Sequence, residues 1–135
     1  MAKVWTRTEA FRFFGATLTN TRWSWSARTP DGATVVLALW TDRFDRQVNP
    51  IQYNDHRISP DDSWIRRPGN RERQENLLWA RNNCRGKFRV VLVRSKNSIS
   101  DPREIDECWP KEDLVMRLMD LNEQTGEFTS VATVL

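Results

Sequence analysis

Trp64 stands in a polar run, with Asp61-Asp62-Ser63 before it and Arg66-Arg67 after it. An indole in such company either folds back to anchor its own loop or lies open to stack on a flat ligand, and the sequence leaves both open. Arg66, Arg67, Arg71 and Arg73 crowd around the expected start of a helix, whose free amides also favour an anion. Guanidinium groups grip phosphates bidentately and stack on flat rings. Aromatic rings that accept a base, beside arginines that hold phosphates, are the arrangement needed to grip an unpaired or flipped nucleotide. On chemistry, the candidate base-binding residues are Trp23, Trp25, Trp40, Tyr53 and Trp64, with Asn20, Ser24 and Asp42 able to read a base edge. Arg66, Arg67, Arg71 and Arg73 are the candidate phosphate ligands. The bland alternative is a solvated helix start, supported by the Arg71/Glu75 spacing.

Catalytic chemistry is harder to assemble. His56 is the only histidine, in the polar stretch Asn54-Asp55-His56-Arg57, so a nucleophile would have one available base. Cys84 and Cys108 lack the close paired spacing of a zinc site, and the five glycines form no phosphate loop. Asp42, Asp45, Asp55, Asp61 and Asp62 beside many arginines offer a third reading, a small metal-dependent nuclease using Asp61 and Asp62. Asp in such turns more often satisfies backbone amides. The expectation is a binding module, not an enzyme, with no catalytic residue, metal or cofactor.

The elements that position these residues follow from pattern. A chain of 135 residues with 39% hydrophobic and 29% charged side chains is sized for one folded domain, residues 1–135. No apolar run approaches the length of a membrane span, and the amino-terminal segment lacks the apolar core of a secretory signal. Two cysteines imply no disulfide framework, so a cytoplasmic setting is expected. Net charge is +3 but unevenly placed: Thr41 to Ser95 carries twelve Lys and Arg against seven acids, whereas Lys96 to Leu135 carries four against nine. A homodimer that pairs the basic middle with the acidic end, using exposed Trp, is the competing reading for the same residues.

Thr6-Arg7-Thr8-Glu9 has capping-box spacing and predicts a helix over about Thr8 to Phe14, ended by Gly15. Trp23-Ser24-Trp25-Ser26-Ala27 alternates as a strand does, Pro30-Asp31-Gly32 signals a turn, and Val35 to Trp40 is a buried strand. Thr41 to Gly69 reads as a long irregular connection with one short strand near Ile51 to Tyr53. Asn70 is placed to cap a helix over Arg71 to Asn83, and Gly86 to end it. Phe88 to Val93, Leu114 to Leu118 and Phe128 to Val134 are further strands, and Pro110 is expected to break the chain before the last two. The sum is an α+β domain: a strongly curved, mostly antiparallel sheet or small open β-barrel with two or three flanking helices.

This order of elements resembles the PUA-like group of domains, which includes the EVE, YTH and ASCH domains. The likeness is carried by the early helix, the Trp23-Ser24-Trp25-Ser26-Ala27 strand paired with Val35 to Trp40, and the Arg-rich loop and helix. The Phe88-Arg89-Val90-Val91-Leu92-Val93 strand and the terminal hairpin around Thr125-Gly126-Glu127-Phe128 complete it. The resemblance implies a pseudobarrel that binds RNA or DNA, in several members through an aromatic cage for a modified base. It also implies association with a separate nuclease, since such readers serve modification-dependent restriction. It does not assign individual cage positions.

Overall fold

The computed structural model describes residues 4–55, 63–96 and 105–134. The expected first helix forms as α1 (Arg7–Phe13), and its cap is the anticipated box: the Thr6 hydroxyl accepts from the Glu9 amide while the Glu9 carboxylate accepts from Thr6. The strands are β1 (Ser26–Arg28), β2 (Val35–Trp40), β3 (Phe44–Asp45), β4 (Gln52–Asn54), β5 (Lys87–Ser95), β6 (Ile105–Leu121) and β7 (Phe128–Thr133). The second helix, α2, runs Pro68–Asn83.

These strands make one open, mixed sheet in the order β1-β2-β5-β6-β7-β4-β3. Among the described strands only β2 and β5 pair in parallel; the other neighbouring pairs are antiparallel. The continuous apolar run of β2 is explained by burial on both faces. Val35, Leu37 and Leu39 point to a core shared with α2, Tyr53, Phe88 and Phe128. Val36 and Ala38 point to a second cluster under α1 with Phe11, Val91 and Val93. Each fully buried Val, Leu or Phe contributes about 1.5–3 kcal/mol of transfer free energy, so these two layers dominate the stability.

Three local expectations are corrected. Pro110 does not break the chain but lies inside β6, opposite Val91, where the register shifts before Arg89 pairs with Val115. A residue with no amide donor is tolerated where a bulge interrupts the ladder. Asn70 is not a cap: α2 starts earlier, with Pro68 in its first turn presetting the backbone and Arg67 in the cap position without a side-chain bond. The Asn70 side chain instead donates to the carbonyls of Ile65 (3.1 Å) and Thr125 (2.9 Å). That contact brings the β6–β7 hairpin against the start of α2. At Gly126, with φ of +86°, an added Cβ would lie 2.8 Å from the Asn70 Oδ1 atom.

The third correction concerns Trp23 and Ser24, which precede the strand instead of opening it. Residues 20–24 form a tight turn: the Ser24 amide donates to the Asn20 carbonyl (2.9 Å) and the Asn20 amide to the Ser24 hydroxyl (3.0 Å). The Arg22 amide donates to the Asn20 side chain at 2.8 Å. Ser24 and Ser26 are the buried members of the alternation because α2 passes so close that only small side chains fit. Asn76 of α2 satisfies the Ser26 hydroxyl at 2.8 Å. A Cβ on Gly69 would collide with the Trp23 carbonyl and come within 2.9 Å of Trp25 Cδ1.

Candidate nucleic-acid interface

The arginine run divides at the helix start. Arg66 ends a 3-10 turn, Ser63–Arg66, which is stitched to α2 by the Arg67 amide donating to the Trp64 carbonyl. Arg66, Arg67 and Arg71 are all exposed. Arg73 is not: it is buried, bonded to Asp55 Oδ2 at 2.6 Å and to Asn70 Oδ1 at 3.1 Å, with its guanidinium 5.0 Å from the Phe128 ring centre. The opposite oxygen of Asp55 takes Arg43 at 2.8 Å. Arg73 is therefore corrected from phosphate ligand to structural ion partner, because helical spacing turns it inward.

The aromatic candidates divide in the same way. Tyr53 is fully buried between Phe44 and Phe128, at ring-centre distances of 4.9 and 5.6 Å. Its hydroxyl accepts from the Trp40 amide (3.3 Å), and burial, then the nearby Asp55 carboxylate, push its pKa far up. It is a core residue. Ser24 is buried, with its hydroxyl accepting from the Asn20 amide, and is corrected from base reader to turn-former; Asn20 is half-buried, and its side-chain oxygen accepts from the Arg22 amide. Trp23 is half-buried and gives its carbonyl to the close passage of Gly69.

Trp25 and Trp40 do converge. Their ring centres lie 5.6 Å apart with planes tilted by 42°, and both remain partly exposed. Trp25 is the residue just before β1, held to β2 by its carbonyl accepting from the Ala38 amide (2.9 Å); Trp40 ends β2. The edge of Trp25 faces Gly69, which links this pair directly to the amino-terminal turn of α2 and its exposed arginines. Trp64 is half-buried in the turn that leads into that helix. Asp42 follows Trp40 by two residues, in the 3-10 turn Thr41–Arg43, and is exposed.

One cation escaped sequence reasoning. Arg7 lies with its guanidinium 4.7 Å from the Trp25 ring centre and donates to the Thr21 carbonyl. Desolvation lowers its pKa from the ordinary value. Nothing in the local sequence around Arg7 announces this contact, since α1 and Trp25 meet only through the fold. It covers one indole face and sets a positive charge at the edge of the tryptophan pair.

Among the described residues no group of three or more His, Cys, Asp or Glu is placed to hold a metal ion. Asp55 is occupied by two guanidinium groups, and Asp45 accepts from the Gln47 amide at 3.1 Å. His56, Asp61 and Asp62 lie outside the described residues. Cys84 and Cys108 are free thiols whose pKa values burial raises, which disfavours the nucleophilic thiolate. Among the described residues no helix is long and apolar enough to cross a membrane.

No family model, no curated protein and no solved structure matches the chain.

Proposed function

We propose that the chain is a nucleic-acid-binding module that takes an unpaired or flipped base, in some targets a modified one, against Trp25, Trp40 and Trp64. Arg66, Arg67 and Arg71 hold the flanking phosphates. The observation that supports this reading is at Gly69, where Trp25, one of the Trp25–Trp40 pair, abuts the first turn of α2, beside which Arg66, Arg67 and Arg71 are exposed. Half-exposed indoles offer stacking area, and the dipole of α2 adds to the positive side chains at its start. In the same reading the scaffold is a PUA-like pseudobarrel of the cell interior, bound to DNA or RNA and acting beside a separate nuclease. The early helix and the terminal β6–β7 hairpin agree with the element order of that group.

The test is a fluorescence-anisotropy titration of the chain with single-stranded and mismatched oligonucleotides across a range of salt. Affinity is expected to fall steeply as salt rises, and each of Arg66→Ala, Arg67→Ala and Arg71→Ala to reduce the log–log salt slope by about 1. Unchanged affinity for every DNA and RNA after Arg66 and Arg67 are both replaced would falsify the reading.

A further inference from the structure

The β5–β6 ladder treats its charges differently at its two ends. Near one end Arg94 lies opposite Glu107 and reaches it at 2.6 Å, with Asp106 at 2.8 Å. At the other end Lys87 lies opposite Arg117. Residues opposite one another on an antiparallel pair share a face, with Cβ atoms about 4.5–5.5 Å apart, and like charges so placed repel. Lys87 is half-buried and Arg117 exposed, and among the described residues neither makes an ion pair or a side-chain hydrogen bond.

The turn that feeds this pair breaks a second local preference. Arg85 follows the cap of α2 with φ of +57°, a left-handed conformation that Gly or Asn ordinarily supplies there. Arg85 is exposed and, like Lys87 and Arg117, has no carboxylate partner among the described residues. The turn is fixed against β6. The Leu118 amide donates to the Gly86 carbonyl at 2.8 Å, and a Cβ on Gly86 would lie 3.5 Å from Arg117 Cγ. Arg85, Lys87 and Arg117 therefore share one corner, where α2 gives way to the sheet.

That corner lies past the end of the helix that covers this face. Arg89, two residues along β5 from Lys87, is opposite Val36, and its guanidinium is 4.9 Å from the ring centre of Phe14. Phe14 caps the carboxyl end of α1, whose Ala10 and Phe11 cover Val36, Val91 and Val93. Lys87 and Arg117 stand on the other side of Arg89 from Val91 and Val93. Places where local rules are broken without compensation from within are where function is expected. An anion from outside relieves three neighbouring cations, and guanidinium and ammonium donors match phosphate oxygens.

We infer that Arg85, Lys87 and Arg117 form a second phosphate-binding site, which takes the backbone of a single-stranded nucleic acid. It adjoins the carboxyl end of α2, whose 16 residues separate it by about 24 Å of helix from the arginines at the start. The inference rests on the nucleic-acid reading above, extends its footprint and is independent of base insertion.

The experiment titrates the full chain with a labelled single strand of about 20 nucleotides across a range of salt, with thermal unfolding followed in parallel. The chains compared are the native protein, Lys87→Gln/Arg117→Gln, Arg85→Asn, Arg94→Gln and Arg66→Ala/Arg67→Ala. Lys87→Gln/Arg117→Gln is expected to lower the log–log salt slope by about 1.4, the release for two phosphate contacts on a single strand. Between 50 and 200 mM salt the native chain should then lose about sevenfold more affinity than this variant. Arg85→Asn is expected to lower the slope by about 0.7 while raising the melting temperature, since it relieves the backbone. Arg94→Gln, whose guanidinium is already paired, is expected to leave the slope unchanged. An unchanged slope in Lys87→Gln/Arg117→Gln, or an equal drop in Arg94→Gln, overturns the second site and leaves the α2 start standing. A drop in the corner variants with none in Arg66→Ala/Arg67→Ala upholds the corner and overturns the α2 start. Co-sedimentation with phosphatidylserine vesicles that Lys87→Gln/Arg117→Gln abolishes, with its oligonucleotide slope unchanged, gives the corner to a lipid surface and overturns the inference. No oligonucleotide binding by the folded native chain overturns both sites.

Discussion

The molecule contains two aromatic groups built from similar residues to different ends. Phe44, Tyr53, Phe88 and Phe128 pack edge and face within the core between the sheet and α2; Tyr53, Phe88 and Phe128 are at most 1% exposed. Trp25 and Trp40 meet at the rim, tilted and partly open, with Arg7 over one of them. The first group ends in a closed polar lock, Asp55 held by Arg43 and Arg73. The second borders, through Gly69, the first turn of α2, where Arg66, Arg67 and Arg71 are exposed. The lesson is that ring type does not separate scaffold from surface. What separates them is whether the polar groups beside the rings have already been satisfied from within.

The contrast can be broken most forcefully at the lock. Asp55→Ala leaves Arg73 buried without its counter-charge and is expected to cost about 3–5 kcal/mol of stability, measured by urea unfolding. A loss below about 1 kcal/mol would show that water reaches the guanidinium and that the two groups differ less than their burial indicates.

A middle-sized effect is expected at the rim. Trp25→Ala should weaken oligonucleotide binding by about 1–3 kcal/mol, the range for removing one stacking partner, and the variant should still unfold in a single cooperative transition. Binding that is indifferent to Trp25, alongside a collapse in stability, would move this indole from the rim group into the core group.

The smallest change is at the hydroxyl that joins them. Tyr53→Phe removes the acceptor for the Trp40 amide and is expected to cost about 0.5–1.5 kcal/mol in unfolding experiments, with no change in oligonucleotide affinity. A change in affinity of more than about twofold would mean that the position of Trp40 depends on this bond, coupling the two groups.

Much of the framework was legible along the chain because it rests on local rules. The Thr6–Glu9 box, the apolar run of β2, the short strand at Tyr53 and the terminal hairpin are all set by neighbours in sequence. The misreadings share a cause. Pro110 and Asn70 were judged by local preference alone, and both were overruled by partners far along the chain, Val91 for one and Thr125 for the other. Tyr53, in a polar stretch, looked like a ligand contact; β4 pairing with β7 carries it into the core.

What the sequence determined by itself was the inventory: tryptophans and arginines in excess, a basic middle, an α+β pattern, and a capped first helix. Periodicity and side-chain chemistry suffice for these, since each depends on a few adjacent residues. Only the tertiary structure decided which members of that inventory face outward. Arg73 and Arg71 differ by two positions, and a rotation of about 200° around a helix sends one to Asp55 and the other to solvent. Trp25 and Trp40 meet, and Arg7 reaches Trp25, because strand pairing and the close passage of α2, at Gly69, over Trp23 and Trp25 close distances that the chain alone leaves open.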